Sequence, residues 1–218
     1  MDAIELLRMV LMPSLGQTLF MVIVTTIFST IIGFLLGIIL TLTKENGLKP
    51  NKIIYKLLDA LINVIRSFPF IILIVAIIPV TRAIVGTSIG MKAAIVPLTV
   101  AMAPFLARLI ETNLDEVNPS LVEAAQSFGA SRTQIIFKVL IVEALPVIVS
   151  SLTLSIISVI GCTAMAGVVG AGGLGAVAIT YGYQNFNDTI MYSTVIVLII
   201  VVQLVQMFGT LSYKKLKK

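Results

Sequence analysis

The chain has 218 residues, 58% of them apolar and 11% charged, with 15 basic against 10 acidic side chains and no histidine. A mean hydropathy of +1.11 excludes an ordinary soluble domain. The lone cysteine, Cys162, excludes an intrachain disulfide and a thiol cluster for metal. The usual general base and commonest metal ligand are missing with histidine. A bilayer core about 30 Å thick needs roughly 20 apolar residues per helix, and the runs 9–43, 144–187 and 189–213 contain no charge at all. These features predict an all-α, polytopic transmembrane helical bundle that forms one domain over 1–218.

The first residues do not read as a secretory signal, because Asp2 and Glu5 stand where a positive n-region belongs. Residues 1–14 are weakly amphipathic and end at Pro13. The first span is expected over 15–43, with Gly33 and Gly37 as a small-xxx-small pair for close helix packing and a pathway role as the lesser alternative. Lys44, Lys49, Lys52 and Lys56 stand against Glu45 in the following loop, which Gly47 and Pro50 break. The second span is expected over 57–80, where Pro69 and Pro79 should kink or end the helix. It carries Asp59 and Arg66, seven apart and near one face. They read as snorkelling charges or a structural pair, with a pathway role as the alternative.

A short outer loop over 82–92 leads to the third span, 93–110, which holds Pro97 and Pro104 and ends near Arg108, Glu111, Asp115 and Glu116. The fourth span is expected over 147–169. A Gly-rich outer segment, 170–188, then precedes the fifth, 189–211, and a tail of four lysines. With the C-terminus inside, the inner segments hold twelve of the fifteen basic residues and the outer ones only Arg8, Arg82 and Lys92. The positive-inside rule therefore predicts N-terminus out and C-terminus in. It also assigns the net charge of +5 to topology rather than to a nucleic-acid partner.

Gly170, Gly172, Gly173 and Gly175 match the dinucleotide fingerprint in spacing. That fingerprint needs a preceding strand within a βαβ unit, whereas a membrane span precedes it here. The better reading is a bend at membrane depth, tolerated where the backbone is buried in protein or lines a cavity. It places 161–175 near a pathway.

The segment 118–146 is the longest mixed polar and apolar stretch. Asn118-Pro119 reads as an N-cap with proline at N1, and Ser120 with Glu123 as an overlapping capping box. The helix should present Leu121, Ala125 and Phe128 on one face and stop at Gly129. Ser131 with Gln134 starts a second short helix, with Arg132 exposed at the corner. Such a pair suits docking into a partner's groove or lying flat on the membrane; the residues alone leave both open.

Glu123-Ala124-Ala125, three residues and then Gly129 resembles the EAA signature of bacterial ABC-importer permeases. In that family this cytoplasmic coupling helix inserts into a cleft on the ATPase subunit. The usual later I-x-L-P falls here on Val139-Leu140-Ile141-Val142, so its proline is absent, and Leu145-Pro146 comes four later. Arg66-Ser67-Phe68-Pro69-Phe70, Ala164-Met165-Ala166-Gly167 with Gly172-Gly173-Leu174-Gly175, and Tyr181-Gly182-Tyr183-Gln184 resemble the methionine-importer branch.

This resemblance implies a homodimeric permease in the bacterial inner membrane, paired with two ATPase subunits and fed by a substrate-binding lipoprotein. The substrate would be methionine, the D-isomer included; another amino acid or small solute is the alternative within the class. The chain itself should be no enzyme and hold no cofactor, ATP and Mg being used by the partner ATPase. Glu123, Ala124, Ala125, Phe128, Gly129 and Arg132 are expected to form the coupling surface. Ser158, Cys162, Met165 and Gly167 are candidates for a lining or gate, with core packing as the equal alternative. An ion-coupled secondary transporter is the rival class. It predicts a paired ionisable relay at mid-membrane and often an internal repeat, and neither is visible in the sequence.

Overall fold

Because lipid offers the backbone no hydrogen-bond partner, apolar runs of this length must satisfy their amides internally, as helices. A computed structural model of the chain describes residues 7–217, and every regular element among them is helical. Asp2, Glu5 and Lys218 lie outside the described residues. Helix α1 spans Met12–Thr43 and follows a π-helical turn, Leu7–Leu11. Pro13 does not end the preceding segment, as expected; it sits in the first turn of α1, where its missing N–H costs nothing.

The second span is not one helix. It comprises α2 (Lys52–Ser67), α3 (Phe70–Ala76) and α4 (Ile78–Val85), and α2 and α3 meet at 105°. The bend is located by Pro69, which pushes Phe68 into an extended conformation (φ −78°, ψ 129°). Pro79 falls in the first turn of α4. Arg82 thereby lies inside a helix rather than in the outer loop.

Helix α5 runs through Met91–Asp115, with Pro97 and Pro104 inside it, and α6 is the short Pro119–Ser127. The second short helix expected after Gly129 does not stop. It continues as α7, Arg132–Val168, through a π-helical stretch at Ile135–Leu140 and past Pro146. The Gly-rich segment is also mostly helical: α8 begins as Gly173–Ala176 and runs on as Val177–Gln184. Helix α9 closes the chain at Asp188–Leu216. Among the described residues four helices are long and apolar enough to cross a membrane, and the bent α2–α3 pair makes a fifth crossing if it is one span.

The centre of the bundle is the packing of α1 along α5, with α7 against both. The buried face of α1 carries a row of small and hydroxyl residues, Ser14, Thr18, Thr25, Ser29, Gly33 and Gly37, with Met21, Val22 and Leu40 buried beside it, while Ile23, Ile27, Phe28, Ile31 and Leu35 face outwards. Lipid tails are as apolar as leucine, so close backbone approach, rather than hydrophobicity, selects the inner face. A Cβ on Gly37 would stand 2.7 Å from Ile110 Cβ and 2.8 Å from the Ala107 carbonyl, and one on Gly33 would stand 2.8 Å from the Ala103 carbonyl. Gly37→Val should therefore destabilise the detergent-solubilised chain by about 1–3 kcal/mol, the usual cost of overpacking. Gly16→Val, where an added Cβ meets nothing within 4 Å, serves as the control. An unchanged melting temperature for Gly37→Val would refute the packing assignment.

Polar contacts join the helices as well. Asn113 Nδ2 donates to Ser151 Oγ at 2.8 Å, in a buried bond between α5 and α7. Asp59 does not pair with Arg66. Its carboxylate accepts from Arg108 of α5, which also donates to Glu111 (2.7 Å) and to Asn63 Oδ1 (3.1 Å). Tyr55 Oη donates to the second Glu111 oxygen at 3.2 Å, and Lys44 at the end of α1 pairs with Asp115. These contacts tie α2 and the C-terminal end of α1 to the last turns of α5.

Candidate functional site

At the end of the bundle bearing Lys44 and Arg108, α6 stands as a separate corner whose limits are set by local chemistry. Asn118 Oδ1 accepts from the Ser120 amide at 3.0 Å, with Pro119 at the first helical position. This cap is used rather than the overlapping Ser120–Glu123 box. The helix ends in a Schellman arrangement, with the Ala130 N–H donating to the Ala125 carbonyl (3.0 Å) and the Gly129 N–H to the Gln126 carbonyl (2.9 Å). Gly129 has φ +78°, the left-handed conformation that closure requires. Two residues on, Ser131 and Gln134 form the expected reciprocal capping box at 2.7 and 3.3 Å, and α7 departs in a new direction.

This corner has one anchored side and one bare side. Val122, Ala125 and Ala130 pack on a core of Leu106, Ile110, Leu114, Val117, Ile135 and Leu140, so α6 is held to both α5 and α7. Leu121, Ala125 and Phe128 differ in exposure. Ala125 is half-buried against that core, whereas Leu121 is exposed and Phe128 is 92% exposed. Glu123, Ala124, Gly129 and Arg132 are exposed too. A surface of one exposed aromatic, small residues and one charge of each sign suits insertion into a groove.

The glycine-rich turn lies between α7 and α8. No strand precedes it; α7 does, and ends in the same Schellman geometry as α6, with Ala171 N–H donating to the Ala166 carbonyl (3.1 Å) and Gly170 N–H to the Gly167 carbonyl (3.2 Å). Gly170, Gly172 and Gly173 have φ of +90°, +79° and +79°. The N-terminal amides of α8 are then satisfied from α1, Gly173 N–H by Gln17 Oε1 (2.8 Å) and Leu174 N–H by Thr18 Oγ1 (2.9 Å). Gln17 and Thr18 were not singled out by the sequence, where nothing local links them to a turn 156 residues away.

The four lining candidates part company. Gly167 is a crossing point: a Cβ there would collide with the Ala176 amide nitrogen, and one on Gly175 with Ala164. Cys162 is half-buried between two core clusters. Met165 is 51% exposed. Ser158 borders an open cavity of about 280 Å³ beside the Phe68–Pro69 bend, together with Arg66, Phe70 and Phe105.

A family described as "Binding-protein-dependent transport system inner membrane component" matches residues 33–218. The chain belongs to this family. It is 51% identical over 199 residues to "Probable D-methionine transport system permease protein MetI" of Vibrio cholerae serotype O1, covering 91% of this chain and 88% of that protein. It is 42% identical over 173 residues to "Methionine import system permease protein MetP" of Bacillus subtilis strain 168, covering 79% and 78%. Its fold matches a solved structure of the MetNI methionine ABC transporter in an inward facing conformation with a TM-score of 0.96, at 42% identity and over 100% of both chains.

The resemblance to importer permeases of the methionine branch is thus borne out. For a member of an inner-membrane transport family, the network around Arg108 takes on a specific place. It joins the broken span to α5, which with α7 also carries α6. Arg108 and Glu111 were legible only as charges at a span end; their spacing of three was the one available signal of a pair.

Proposed function

We propose that this chain is the membrane-spanning permease subunit of an ATP-driven importer for methionine, in its L- and D-forms. The class is supported by α6, a helix capped at both ends, packed on one side and bare on the other, on a chain of a binding-protein-dependent transport family. The substrate is supported by relatives named for methionine transport. In this reading two copies enclose a pathway on a two-fold axis. Each presents α6, within the segment 118–146, to one of two cytoplasmic ATPase subunits. Glu123, Ala124, Phe128, Gly129 and Arg132 form the contact, and Ala125 holds it to the core. The N-terminus lies outside and the C-terminal lysines inside. A substrate-binding protein delivers methionine from the extracytoplasmic side.

Nucleotide binding in the ATPases draws the two α6 corners together. The spans respond by exchanging inward-open and outward-open states, an equilibrium biased from two separate sites. ATP and Mg are used by the partner, and this chain supplies the pathway and the lever. The test is uptake of labelled methionine by proteoliposomes holding this chain, its ATPase and its binding protein. Uptake should require ATP inside. Uptake driven by an ion gradient without ATP would overturn the class, and ATP-driven uptake of a different solute with none of methionine would overturn the substrate.

A further inference from the structure

The bend that breaks the second span leaves a cavity of about 280 Å³ between the end of α2, the start of α3, α5 and α7. That is close to the lower end of ligand-pocket sizes, about 300 Å³. Its lining is mostly aromatic and apolar, Phe68, Phe70, Met102 and Phe105, with two polar side chains, Arg66 and Ser158. Irregular backbone at membrane depth is tolerated where it borders such a space.

The ion pairs around it assign the charges. Arg108 takes Asp59 and Glu111, and Lys44 takes Asp115. Arg66 has no carboxylate partner among the described residues. Its planar fork of donors at a largely apolar wall matches a carboxylate bidentately. Ser158 commits its proton inwards, donating to the Leu154 carbonyl at 2.9 Å. Its hydroxyl lone pairs are then acceptors for an ammonium group. The aromatic rings and Met102 offer an apolar and polarizable surface of the kind thioethers favour.

We infer that this cavity is a transit binding site for an apolar α-amino acid, with Arg66 on the carboxylate, Ser158 on the ammonium and the Phe68–Phe70–Phe105 wall on the side chain. The inference rests on the methionine reading above and deepens it. It assigns Arg66 a role in recognition, the alternative that the sequence placed behind snorkelling or a structural pair.

The experiment uses the permease–ATPase complex without binding protein, photolabelled with a diazirine analogue of methionine and mapped by peptide mass spectrometry. Label is expected on the peptides carrying Phe68–Phe70 and Phe105. Excess methionine should compete it away, whereas methioninol, which lacks the carboxylate, should compete at least tenfold less well. Arg66→Ala should reduce labelling at least tenfold and Arg66→Lys less, because a point charge cannot replace the fork. If Arg66→Ala fails to assemble, Ser158→Ala gives the same reading through weaker competition by methionine. Labelling elsewhere, labelling indifferent to both substitutions, or label displaced by anionic phospholipid but not by methionine would overturn the site. Should the wild-type complex, reconstituted in proteoliposomes with its binding protein, import methionine under ATP while the cavity stays unlabelled in the photolabelling, the site falls and the function stands. Should it import none, both fall.

Discussion

A Gly129→Val chain is expected to reach the membrane and to lose at least tenfold of its ATP-driven uptake. The cause is local and conformational. Gly129 holds φ +78°, a region that costs L-residues about 1–2 kcal/mol and is worst for β-branched ones. A Cβ added there meets nothing within 4 Å, so steric collision inside the chain contributes nothing. What is lost is the Schellman closure through Ala130 and Gly129, and with it the angle between α6 and α7. A penalty of that size leaves a bundle of buried spans intact. It does redirect Phe128 and Arg132, which flank the glycine on the surface proposed to meet the ATPase. Gly129→Asn, which tolerates the left-handed conformation, should retain most of the uptake. The measurements are uptake and binding-protein-stimulated ATP hydrolysis in proteoliposomes. Wild-type values of both for the valine variant would sink the docking assignment.

The corner was legible in the sequence because its determinants are short-range. Asn118 before Pro119, Gly129, and Ser131 with Gln134 each specify a backbone conformation within four residues, and all three act as predicted. The second span was expected to kink or end at Pro69 and Pro79, and it breaks beside both; the size of the break was not legible, because hydropathy measures length without direction. Pro69 signals a break, but a 105° bend depends on what α2 and α3 pack against. The helix after Ser131 has a start signal and no stop before Val168. The polar segment was bounded at Pro146 and the fourth span expected from 147, yet a proline inside a membrane helix is tolerated when local widening and neighbours re-satisfy the freed groups. Asp59 is the clearest case of missing information. A spacing of seven suggested Arg66, while its partner is Arg108, 49 residues on, brought within reach only by the packing of α2 on α5.

The inner face of α1 was legible only in part, for a reason particular to lipid. In water an amphipathic stripe marks the core. Here the outward face carries isoleucine and phenylalanine, and the inward face mostly serine, threonine and glycine, with Met21, Val22 and Leu40 among them. Gly33 and Gly37 were visible as a motif; Ser14, Thr18, Thr25 and Ser29 continue the same face towards the α8 cap. The row that makes α1 pack closely on α5 therefore also supplies Thr18 to the α8 amides, beside Gln17. Packing and capping share one helix face, so α1 connects the glycine-rich turn at one end of the bundle with α5, which leads to α6 at the other.

Arg108→Ala is expected to destabilise the solubilised chain by about 3–5 kcal/mol, the cost of stranding a buried charge. Glu111 is 5% exposed, and without the guanidinium its carboxylate keeps only the Tyr55 hydroxyl as a side-chain partner. Asp59 is better hydrated and contributes less. If the loss comes from the stranded carboxylate, Glu111→Gln placed on top of Arg108→Ala should restore about 1–2 kcal/mol, because an amide is cheaper to bury than a charge. A double-mutant cycle by denaturant titration in mixed micelles reads this coupling directly. Strictly additive losses would mean that the network does not act as a unit. The same cycle bears on transport, because Arg108 is where the broken span is fastened to the helix that also carries α6. With that fastening gone, movement at the corner no longer reaches the bend at Pro69. The double variant should then recover stability without recovering uptake; recovery of both would mean that Arg108 serves folding alone.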